Sequence, residues 1–506
     1  MRRPHAQKVA SNGHFMQQPP TERPLSHRTS RAGAWASASR VVSRALQLVS
    51  GVVLARVLTP QDFGLVAVAF TAITLTDALT ATGLGSALIQ RADGAEEYLD
   101  AVWTFELLRG VALAGLLSLL APIIASFFAE PRAIPIVRVI SLTCVLTGLR
   151  NVGIVLLRKE LRFAKLFMFD VGGVLAYVAI AIPLALVFRN AWALVGALLA
   201  QHLVACLLSY CVHPHRPRIV FDLAKTKELF GFGKWILGQG LVEMAQRTGI
   251  NIFVGRALGV LQLGFYNRAE VFSRSVFDEL GNVVWQVLYP TYSSLQKESS
   301  RLTQIYAKTL ELLCFIGMPM AGGLFVLSGD FTRLFLTDKW LPIVPVMQIL
   351  CVLAVLSFVT TPCAILFQAV GRPAIGTKVS VVGLVLFAGL IYPAASRWGL
   401  PGVAGALAAG LALTAPITVC LANRLAGFDV RVFLRAVGFP FACTVVMVLT
   451  MWGIRAFVMR EIRVLGFVLL IAAGCSVYLV SALGLAWRSD WSIFRTLKGI
   501  LVSLRG

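Results

Sequence analysis

Charged residues recur at helical spacing inside segments of this chain that are otherwise apolar enough to cross a membrane. In the segment from Leu263 to Gln296, the residues Glu270, Arg274 and Asp278 lie four positions apart, so they share one face of a helix. A charge at the centre of a bilayer costs about 2.5–3.5 kcal/mol, which makes contact between this face and lipid unfavourable. The spacing therefore predicts a face that borders a hydrated interior, where it can bind a charged ligand or exchange protons.

Two further polar stripes indicate where this interior lies. In the segment 233–257, polar residues recur every four positions, at Gln239, Glu243, Arg247 and Asn251. The segment 36–57 carries a similar stripe, with Arg40, Arg44 and Gln47. A guanidinium group can hold a phosphate through two parallel hydrogen bonds, a geometry that an ammonium group cannot match. We therefore predict a cationic, anion-binding cavity that is lined by Arg44, Arg247 and Arg274.

Carboxylates inside the same apolar segments are candidates for proton exchange or for balancing the arginine charges. The four candidates are Asp77, Glu243, Glu270 and Asp278. Glu106, Arg109 and Arg150 are further candidates, and for these a structural role competes with a functional one. Glu106 and Arg109 lie three residues apart and could simply neutralise each other. Arg150 lies near the end of its segment, where a side chain that reaches the membrane interface is the favoured interpretation.

Motifs that would indicate an enzyme are absent from the sequence. There is no Walker A motif, no HExxH, no GxSxG and no cluster of histidines that could ligate a metal. The nine cysteines form no CxxC pair and lie in or beside apolar runs, as small core residues do. We therefore expect no catalytic residue, no metal and no cofactor.

The composition is typical of a polytopic membrane protein. Of the 506 residues, 58% are hydrophobic and 14% are charged, and the mean hydropathy is +0.79, whereas about 25% of the residues in an ordinary soluble domain are charged. The net charge of +22 falls mostly between apolar runs and at the two termini. No basic module interleaved with aromatic residues accompanies it, so we expect no nucleic-acid partner.

Fourteen apolar segments are each long enough to cross a hydrocarbon core of about 30 Å. They lack the short alternation that outer-membrane barrels show, so an all-helical fold is predicted. Their approximate limits are 36–57, 63–89, 101–128, 134–157, 166–188, 191–212, 233–257, 263–289, 304–328, 343–370, 375–396, 400–422, 433–456 and 464–487.

Loop charges predict the orientation of these segments. The loops after the fourth, sixth, eighth and twelfth segments are basic, which places both termini in the cytoplasm. One loop disagrees, because Arg455, Arg460 and Arg463 fall on the predicted outer side. Residues 1–34 are predicted to form a disordered basic cytoplasmic tail, and residues 489–506 an amphipathic helix on the cytoplasmic membrane surface.

A repeat with a period of 200 residues divides the chain. A shift by this length aligns four pairs of residues: Trp35 with Trp235, Arg56 with Arg256, Leu58 with Leu258, and Gly64 with Gly264. Each copy begins a group of six segments, so the two copies have the same orientation in the membrane. We predict a first lobe at 35–224, a second lobe at 225–425 and a terminal helix pair at 426–488.

Seven short segments, in order along the chain, carry a family resemblance. They are ARVLTPQDFGLVAVA (55–69), GLGSALIQ (83–90), LLRKELRFAKL (156–166), GRALGVLQLGFYNRA (255–269), LYPTYSSLQ (288–296), DKWLPIVPVMQIL (338–350) and FQAVGRP (367–373). In these segments the chain resembles the polysaccharide (oligosaccharide-lipid) flippase family of the multidrug/oligosaccharidyl-lipid/polysaccharide exporter superfamily. The resemblance implies fourteen helices in two six-helix lobes plus a terminal pair. The cationic cavity of that family is carried over only to Arg44, Arg247 and Arg274.

The resemblance also implies a function. It implies that the chain moves an undecaprenyl-pyrophosphate-linked glycan across the bacterial inner membrane by alternating access, for exopolysaccharide, capsule or O-antigen assembly. The expected partners are the polyprenyl-linked glycan, membrane lipid, a polysaccharide polymerase and glycosyltransferases. Two alternatives stay open. A drug or cation exporter of the same superfamily should prefer acidic residues in its cavity, and a membrane-embedded glycan polymerase or ligase would need a large outer loop.

Overall fold

The structure, a computed structural model, is helical almost throughout. It describes residues 25–80, 84, 88, 94–160, 162–222, 244–296, 298–427, 429–457 and 463–489. None of these residues lies in a β-strand, and ten of the helices are long and apolar enough to cross a membrane. A bilayer requires such helices, because a backbone in lipid must satisfy its hydrogen bonds internally. The predicted all-α polytopic fold is confirmed, whereas the tails 1–24 and 490–506 lie outside the described residues.

The first lobe is built from helices that pack in neighbouring pairs. In the described part these helices are α1 (Leu25–Val57), α2 (Pro60–Thr80), α3 (Leu99–Phe127), α4 (Ala133–Gly148), α5 (Ile154–Lys159), α6 (Phe163–Phe188) and α7 (Trp192–Val212). Helix α6 packs against α1 and α7, and α4 packs against α3 and α7. Helix α1 begins eleven residues before the predicted start of the first segment.

The second lobe follows the same plan and carries two additional helices. Its described elements are α8 (244–253), a π-helical turn (Val254–Leu258), α9 (Val260–Phe272), α10 (Arg274–Ser294), α11 (Ser299–Phe331), a second π-helical turn (Thr332–Leu336), α12 (Ile343–Ala369) and α13 (Pro373–Ala426). The terminal pair consists of α14 (Val430–Phe457) and α15 (Val464–Ser489). Helix α14 packs against α11 and α15, which joins the terminal pair to the second lobe.

One predicted segment, 263–289, is divided in the structure. At Ser273 the backbone has φ −111° and ψ −77°, which separates α9 from α10. The Ser273 hydroxyl donates to the carbonyl of Ala269, and this kind of side-chain hydrogen bond often bends helices. The charged face of the segment therefore turns at Ser273, so its residues need not border a single cavity.

A second break divides the longest helix. Hydrogen bonding runs through α13 for 54 residues, but Gly399 inside it has φ 59° and ψ −135°. An L residue with a side chain rarely adopts that conformation, and glycine does so without steric penalty. Helix α13 therefore contains two membrane-crossing stretches, as the separate predicted segments 375–396 and 400–422 require.

The repeat predicted from the sequence brings equivalent glycines together where the lobes meet. A Cβ atom built on Gly64 of α2 would lie 2.0 Å from the carbonyl oxygen of Val260. A Cβ atom built on Gly264 of α9 would lie 1.9 Å from the carbonyl oxygen of Pro60. Both distances are shorter than any contact a real side chain makes, so the crossing of α2 and α9 requires glycine at both positions. The reciprocal contact is the one that two parallel repeats produce around an axis between them.

Hydrogen bonds join the lobes beside this crossing, at the end of the bundle where α1 ends. The Trp340 indole, which is fully buried, donates to the carbonyl of Ala55 over 2.8 Å. Lys339 Nζ donates to the carbonyls of Arg56 and Leu58, each over 2.8 Å. Arg56 in turn donates to carbonyls at the end of the second π-helical turn. We call this contact the clasp; its residues are Ala55, Arg56, Leu58, Leu334, Phe335, Lys339 and Trp340.

An ion pair accounts for one of the arginines on the predicted outer side. Arg455, at the end of α14, lies 2.7 Å (Nε to Oδ2) from Asp330, near the end of α11. A second guanidinium nitrogen of Arg455 donates to the other carboxylate oxygen over 3.0 Å. Asp330 is 7% exposed. Because a buried carboxylate neutralises Arg455, this arginine does not act as a free positive charge in the orientation rule.

Candidate functional site

A cavity of about 280 Å³ lies inside the first lobe and is closed on one side by the second lobe. Its polar lining comes from both lobes, and we call it the first-lobe cavity: Arg44 and Gln47 of α1, Tyr177 of α6, Gln201 of α7, and Asn267 and Arg268 of α9. Helix α9 therefore contributes to a cavity that the other lobe encloses. A ligand here would contact both lobes at once.

Arg44 reaches from the first lobe to the second. Its Nη1 donates to the side-chain oxygen of Gln47, one turn further along α1, over 3.3 Å. Its Nη2 donates to the carbonyl of Val271 in α9 over 3.5 Å. The long bond to Val271 joins the lobes weakly, since hydrogen bonds lose strength at such distances. The predicted position of Arg44 in a cationic cavity fits this geometry.

Arg268 is a cavity residue that the sequence analysis missed. Its guanidinium carbon lies 4.4 Å from the centroid of the Phe63 ring, a cation–π distance. Its Nε atom is buried and has no hydrogen-bond partner among the described residues. The signal was present in the sequence, because Arg268 belongs to the segment GRALGVLQLGFYNRA and aligns with Val68 in the first repeat. Arg268 lies outside the four-residue spacing of Glu270, Arg274 and Asp278, so that spacing does not indicate it.

Two adjoining cavities of about 300 and 430 Å³ lie inside the second lobe. Both are lined by Arg274, Leu353, Ser357 and Thr361, and we call them together the second-lobe chamber. Gln246 of α8 lines the smaller cavity and Arg247 lines the larger one. Of the polar stripe predicted for this segment, Arg247 lines a cavity, whereas Gln239 and Glu243 lie outside the described residues.

The three predicted arginines do not share a single cavity. Arg247 and Arg274 line the second-lobe chamber, whereas Arg44 lines the first-lobe cavity with Arg268. The break at Ser273 accounts for this division, because α9 directs Arg268 to one cavity while Arg274, the first residue of α10, borders the other. The cationic surface is thus divided between the lobes, with α9 and α10 connecting its two parts.

Glu270 and Arg274 form an ion pair at this connection. Nη1 of Arg274 lies 3.6 Å from Oε1 of Glu270, and their side chains are 25% and 24% exposed. The pair is thus neither fully buried nor free in solvent, so an entering anion could compete with Glu270 for the guanidinium. Glu243 lies outside the described residues, and only the backbone of Asp278 is described, within α10.

Asp77, Glu106 and Arg109 form a separate cluster in the first lobe. Arg109 of α3 pairs with Asp77 of α2 and also with Glu106, whose carboxylate lies 3.6 Å from its Nε. The expected Glu106–Arg109 pair is present, and Asp77 joins it. Arg150 follows α4, and its guanidinium lies 5.9 Å from the Phe169 ring centroid. None of these four residues lines the cavities described above, and the role of Asp77 in coupling stays a prediction.

The described residues contain no group of three or more His, Cys, Asp or Glu side chains that could hold a metal ion. What they present at the two cavities is a set of arginine donors together with hydroxyl and amide groups. Such a set is suited to binding an anionic, hydroxylated ligand through hydrogen bonds.

Comparison with known proteins identifies close sequence relatives of this chain. The lipopolysaccharide biosynthesis protein WzxC of Escherichia coli K12 is 28% identical over 386 residues, which make up 75% of this chain and 77% of WzxC. The succinoglycan biosynthesis transport protein ExoT of Rhizobium meliloti is 26% identical over 412 residues, which make up 80% of each chain.

Solved structures with the same fold include two kinds of transporter. The lipid II flippase MurJ, in an inward closed conformation, matches with a TM-score of 0.69 and 16% identity, over 89% of this chain and 98% of MurJ. An inward-facing multidrug resistance transporter of the MATE family matches with a TM-score of 0.61 and 17% identity, over 76% of this chain and 94% of the transporter. At these identities the likeness is one of fold.

A family model described as polysaccharide biosynthesis protein matches residues 53–345. The match covers more than half of the chain and includes the clasp, the crossing of Gly64 and Gly264, and the arginines 247, 268 and 274. The family resemblance noted in the sequence is therefore confirmed: this multi-pass membrane protein belongs to the polysaccharide biosynthesis protein family.

Proposed function

We propose that this protein is a flippase that moves a polyprenyl-pyrophosphate-linked oligosaccharide across the bacterial inner membrane. The observation that carries the proposal is the arginine set at the meeting point of two lobes, in a chain of the polysaccharide biosynthesis protein family. The named activities of similar proteins agree with it, since ExoT is named a transport protein and MurJ a lipid II flippase. The glycan would serve exopolysaccharide, capsule or O-antigen assembly.

The pyrophosphate group is the part of the substrate that the arginines would bind. Arg44 and Arg268 face the first-lobe cavity, while Arg247 and Arg274 face the second-lobe chamber. The buried Nε of Arg268 lacks an acceptor among the described residues, and leaving such a donor unsatisfied costs about 1–3 kcal/mol, more where the group is charged. A phosphate oxygen would supply the acceptor, so binding of the phosphate would remove this unfavourable free energy.

Alternating access would follow from opening and closing the clasp. With both termini in the cytoplasm, the clasp lies at the extracytoplasmic end, because α1 runs from the cytoplasm to Val57. The clasp is closed in the structure, and we infer that this state would take up substrate from the cytoplasmic leaflet. Rocking of the lobes would then break the Trp340 and Lys339 hydrogen bonds and release the substrate outward. No covalent bond is made or broken.

A carboxylate could couple this cycle to an ion gradient. Among Asp77, Glu243, Glu270 and Asp278, Glu270 has a direct route, because a pyrophosphate that takes Arg274 would release it from its ion pair. The released carboxylate would then be the group that takes up the coupling proton. Substrate binding and proton uptake would thus be linked at one residue pair.

The proposed setting follows from the same reasoning. The protein would be a multi-pass inner-membrane protein with both termini cytoplasmic, acting beside glycosyltransferases that build the substrate and a polymerase that uses it. The alternative function is drug efflux, since a multidrug resistance transporter of the MATE family has the same fold. A cationic drug would be repelled by Arg44 and Arg268 in the first-lobe cavity, so the anionic substrate is favoured.

The test is charge reversal in cells that depend on this protein for glycan export. Arg247→Glu and Arg274→Glu are expected to abolish export while protein abundance, followed by immunoblotting, stays normal. Arg397→Glu, which changes an exposed arginine of α13, is the matched control and should export normally. Normal export by the Arg247 and Arg274 variants would remove both residues from the mechanism. Loss of drug resistance in place of glycan export would favour the efflux alternative.

A further inference from the structure

We propose that the second-lobe chamber is a carbohydrate subsite, which binds a sugar ring of the lipid-linked glycan while the arginines hold the pyrophosphate. This inference rests on the proposed function and adds to it a place for the sugar. The chamber is richer in hydroxyl groups than the first-lobe cavity: Ser357, Thr360, Thr361, Ser380, Thr414 and Thr418 line the chamber, whereas only Ser50 and Tyr177 supply hydroxyl groups to the first-lobe cavity among the described residues. Its two cavities, of about 300 and 430 Å³, reach the size range of small-molecule sites, which begins at about 300 Å³.

Aromatic side chains line the larger cavity. Phe277 and Phe358 pack edge to face, with ring centroids 5.8 Å apart and planes at 90°, and both are almost fully buried. Trp285 lines the same cavity and is only partly buried. Its ring is parallel to that of Tyr289 within 4°, at a centroid distance of 6.1 Å. This stack fixes the orientation of the indole, and an oriented indole is a surface on which the apolar C–H face of a sugar ring can lie.

Hydroxyl groups also line the chamber, with Ser357 in both cavities and Thr414 in the smaller one. Ser357 donates to the carbonyl of Leu353 over 2.9 Å, and Thr414 donates to that of Gly410 over 3.0 Å. Because these protons are used within the helices, the hydroxyl oxygens present their lone pairs to the cavity as acceptors. Gln246 and Arg274 add donors to the lining of the smaller cavity. Sugar hydroxyls both donate and accept hydrogen bonds, so a mixed lining of this kind matches them.

Arg274 places this subsite next to the pyrophosphate. It lines both cavities of the chamber and lies one residue after the break at Ser273, beside the α9 residues that line the first-lobe cavity. In a lipid-linked glycan the first sugar is joined directly to the pyrophosphate. A pyrophosphate held near Arg274 therefore leaves its first sugar within the chamber, where Trp285, Ser357 and Thr361 are the groups to contact it.

The experiment compares two lipids on the purified full-length protein in nanodiscs. One lipid is polyprenyl pyrophosphate without sugar, and the other is the same lipid carrying a single N-acetylhexosamine. Trp285→Ala is expected to weaken binding of the glycosylated lipid by about tenfold and to leave binding of the bare lipid unchanged. Trp285→Phe keeps an aromatic ring, so it should retain most of the wild-type affinity for the glycosylated lipid. Trp452→Ala, which removes an exposed tryptophan of α14, is the matched control.

A second variant fills the chamber without disturbing the backbone. A Cβ atom at Gly281, which lines the larger cavity, would meet no other atom within 4 Å. Gly281→Leu is therefore expected to fold and to weaken binding of the glycosylated lipid selectively, with the unfolding temperature as the check on folding.

The outcomes separate this inference from the proposed function. A wild-type protein that binds both lipids equally, or variants that weaken both lipids to the same extent, would overturn the carbohydrate subsite and leave the flippase proposal standing. A wild-type protein that binds neither lipid would overturn both.

Discussion

The two repeats are alike where the lobes touch and different where they surround the cavities. At the contact, Arg56 and Arg256 are equivalent, and Gly64 and Gly264 meet across the crossing of α2 and α9. One turn further along, Val68 of the first repeat corresponds to Arg268 of the second. Further pairs of this kind are Phe70 with Glu270 and Thr74 with Arg274.

The difference between the lobe contact and the cavities reflects two separate requirements, movement of the lobes and binding of a substrate. Opening and closing of the lobes requires two surfaces that fit each other, and equivalent residues on both repeats provide that fit. A substrate with a charged head and a neutral glycan is itself asymmetric, so its site cannot be built from two equal halves. Under the proposed function, we assign the charges of α9 and α10 to substrate binding and the two glycines to the movement of the lobes.

The largest effect is expected when the symmetric contact is broken. Gly264→Ala would place a methyl group 1.9 Å from the Pro60 carbonyl oxygen, and overpacking of this kind costs about 3 kcal/mol. The lobes should separate at the crossing, with a lower unfolding temperature and loss of transport. Gly281→Ala is the control, because its Cβ atom meets no neighbour and alanine favours a helix by about 1 kcal/mol over glycine. Equal stability of the two variants would contradict the role given to the glycine pair.

The next effect comes from removing the asymmetry of the cavity. Arg268→Val gives the second repeat the residue that the first has at the corresponding position. Hydrogen bonds to charged groups contribute about 1.5–3 kcal/mol, so binding of polyprenyl pyrophosphate should weaken by about 10–100-fold. Folding stability should stay the same or rise, because a buried donor without an acceptor is removed. A variant that loses stability but keeps its affinity would assign Arg268 to structure.

A smaller effect is expected at the ion pair between the cavities. Glu270→Gln removes one ion pair of Arg274 with a partly exposed carboxylate, which is worth about 0.5–1 kcal/mol. Affinity for the anionic lipid should therefore increase by about two- to fivefold. If Glu270 carries the coupling proton, the variant should also lose the pH dependence of transport, measured across a proton gradient. An unchanged pH dependence would transfer the coupling role to another of the predicted carboxylates.

The smallest effect concerns two acidic residues that lie 200 positions apart, Glu130 and Asp330. Asp330 pairs with Arg455, whereas Glu130 pairs with Arg132, whose Nε lies 2.8 Å from its carboxylate. The hydrogen bond from Arg132 lowers the pKa of Glu130 below its ordinary value of 4.5, although partial burial opposes this. A lowered carboxyl pKa stabilises the fold above the ordinary pKa, and that stability is lost as the pH falls through the lowered value.

Arg132→Met should therefore make unfolding less sensitive to acid, by less than about 1 kcal/mol. The measurement is the change in unfolding temperature between neutral pH and a pH well below the ordinary glutamate value of 4.5. Arg301→Met, which removes an exposed arginine paired with Glu298, is the control and should change little. A larger acid sensitivity in the Arg132 variant would contradict the sign of the predicted effect.

Much of the fold was predictable, because each membrane-crossing helix needs an apolar segment of a certain length and the two repeats have equivalent sequences. Every predicted segment overlaps a helix of the described part of the chain, although 263–289 is divided between α9 and α10 and 233–257 is described only from residue 244. The 200-residue shift also aligns Gly64 with Gly264, which meet in the structure. The break at Ser273 was not predictable, because serine occurs within many unbroken helices. Its consequence, the division of the arginines between two cavities, could therefore not be read from spacing.

The candidate site was predictable only in part for a related reason. Arg44, Arg247 and Arg274 were found by their position on polar stripes, and all three line a cavity. Arg268 lies among apolar neighbours, and its partner is the Phe63 ring of the other repeat. A residue whose contact lies 205 positions away leaves no periodic signal, although the comparison of the repeats singles it out as an arginine opposite a valine.

Transfer between leaflets in reconstituted vesicles tests the central claim most directly. The substrate is a fluorescent polyprenyl-pyrophosphate-linked oligosaccharide, and a membrane-impermeant quencher reports the fraction in the outer leaflet. The wild-type protein is expected to move the lipid, and the combined Arg44→Glu and Arg268→Val variant, reconstituted at equal density, is expected to move none. Transfer by the variant at the wild-type rate, or no transfer by the wild-type protein, would contradict the claim that asymmetric arginines carry a pyrophosphate-linked glycan across the membrane.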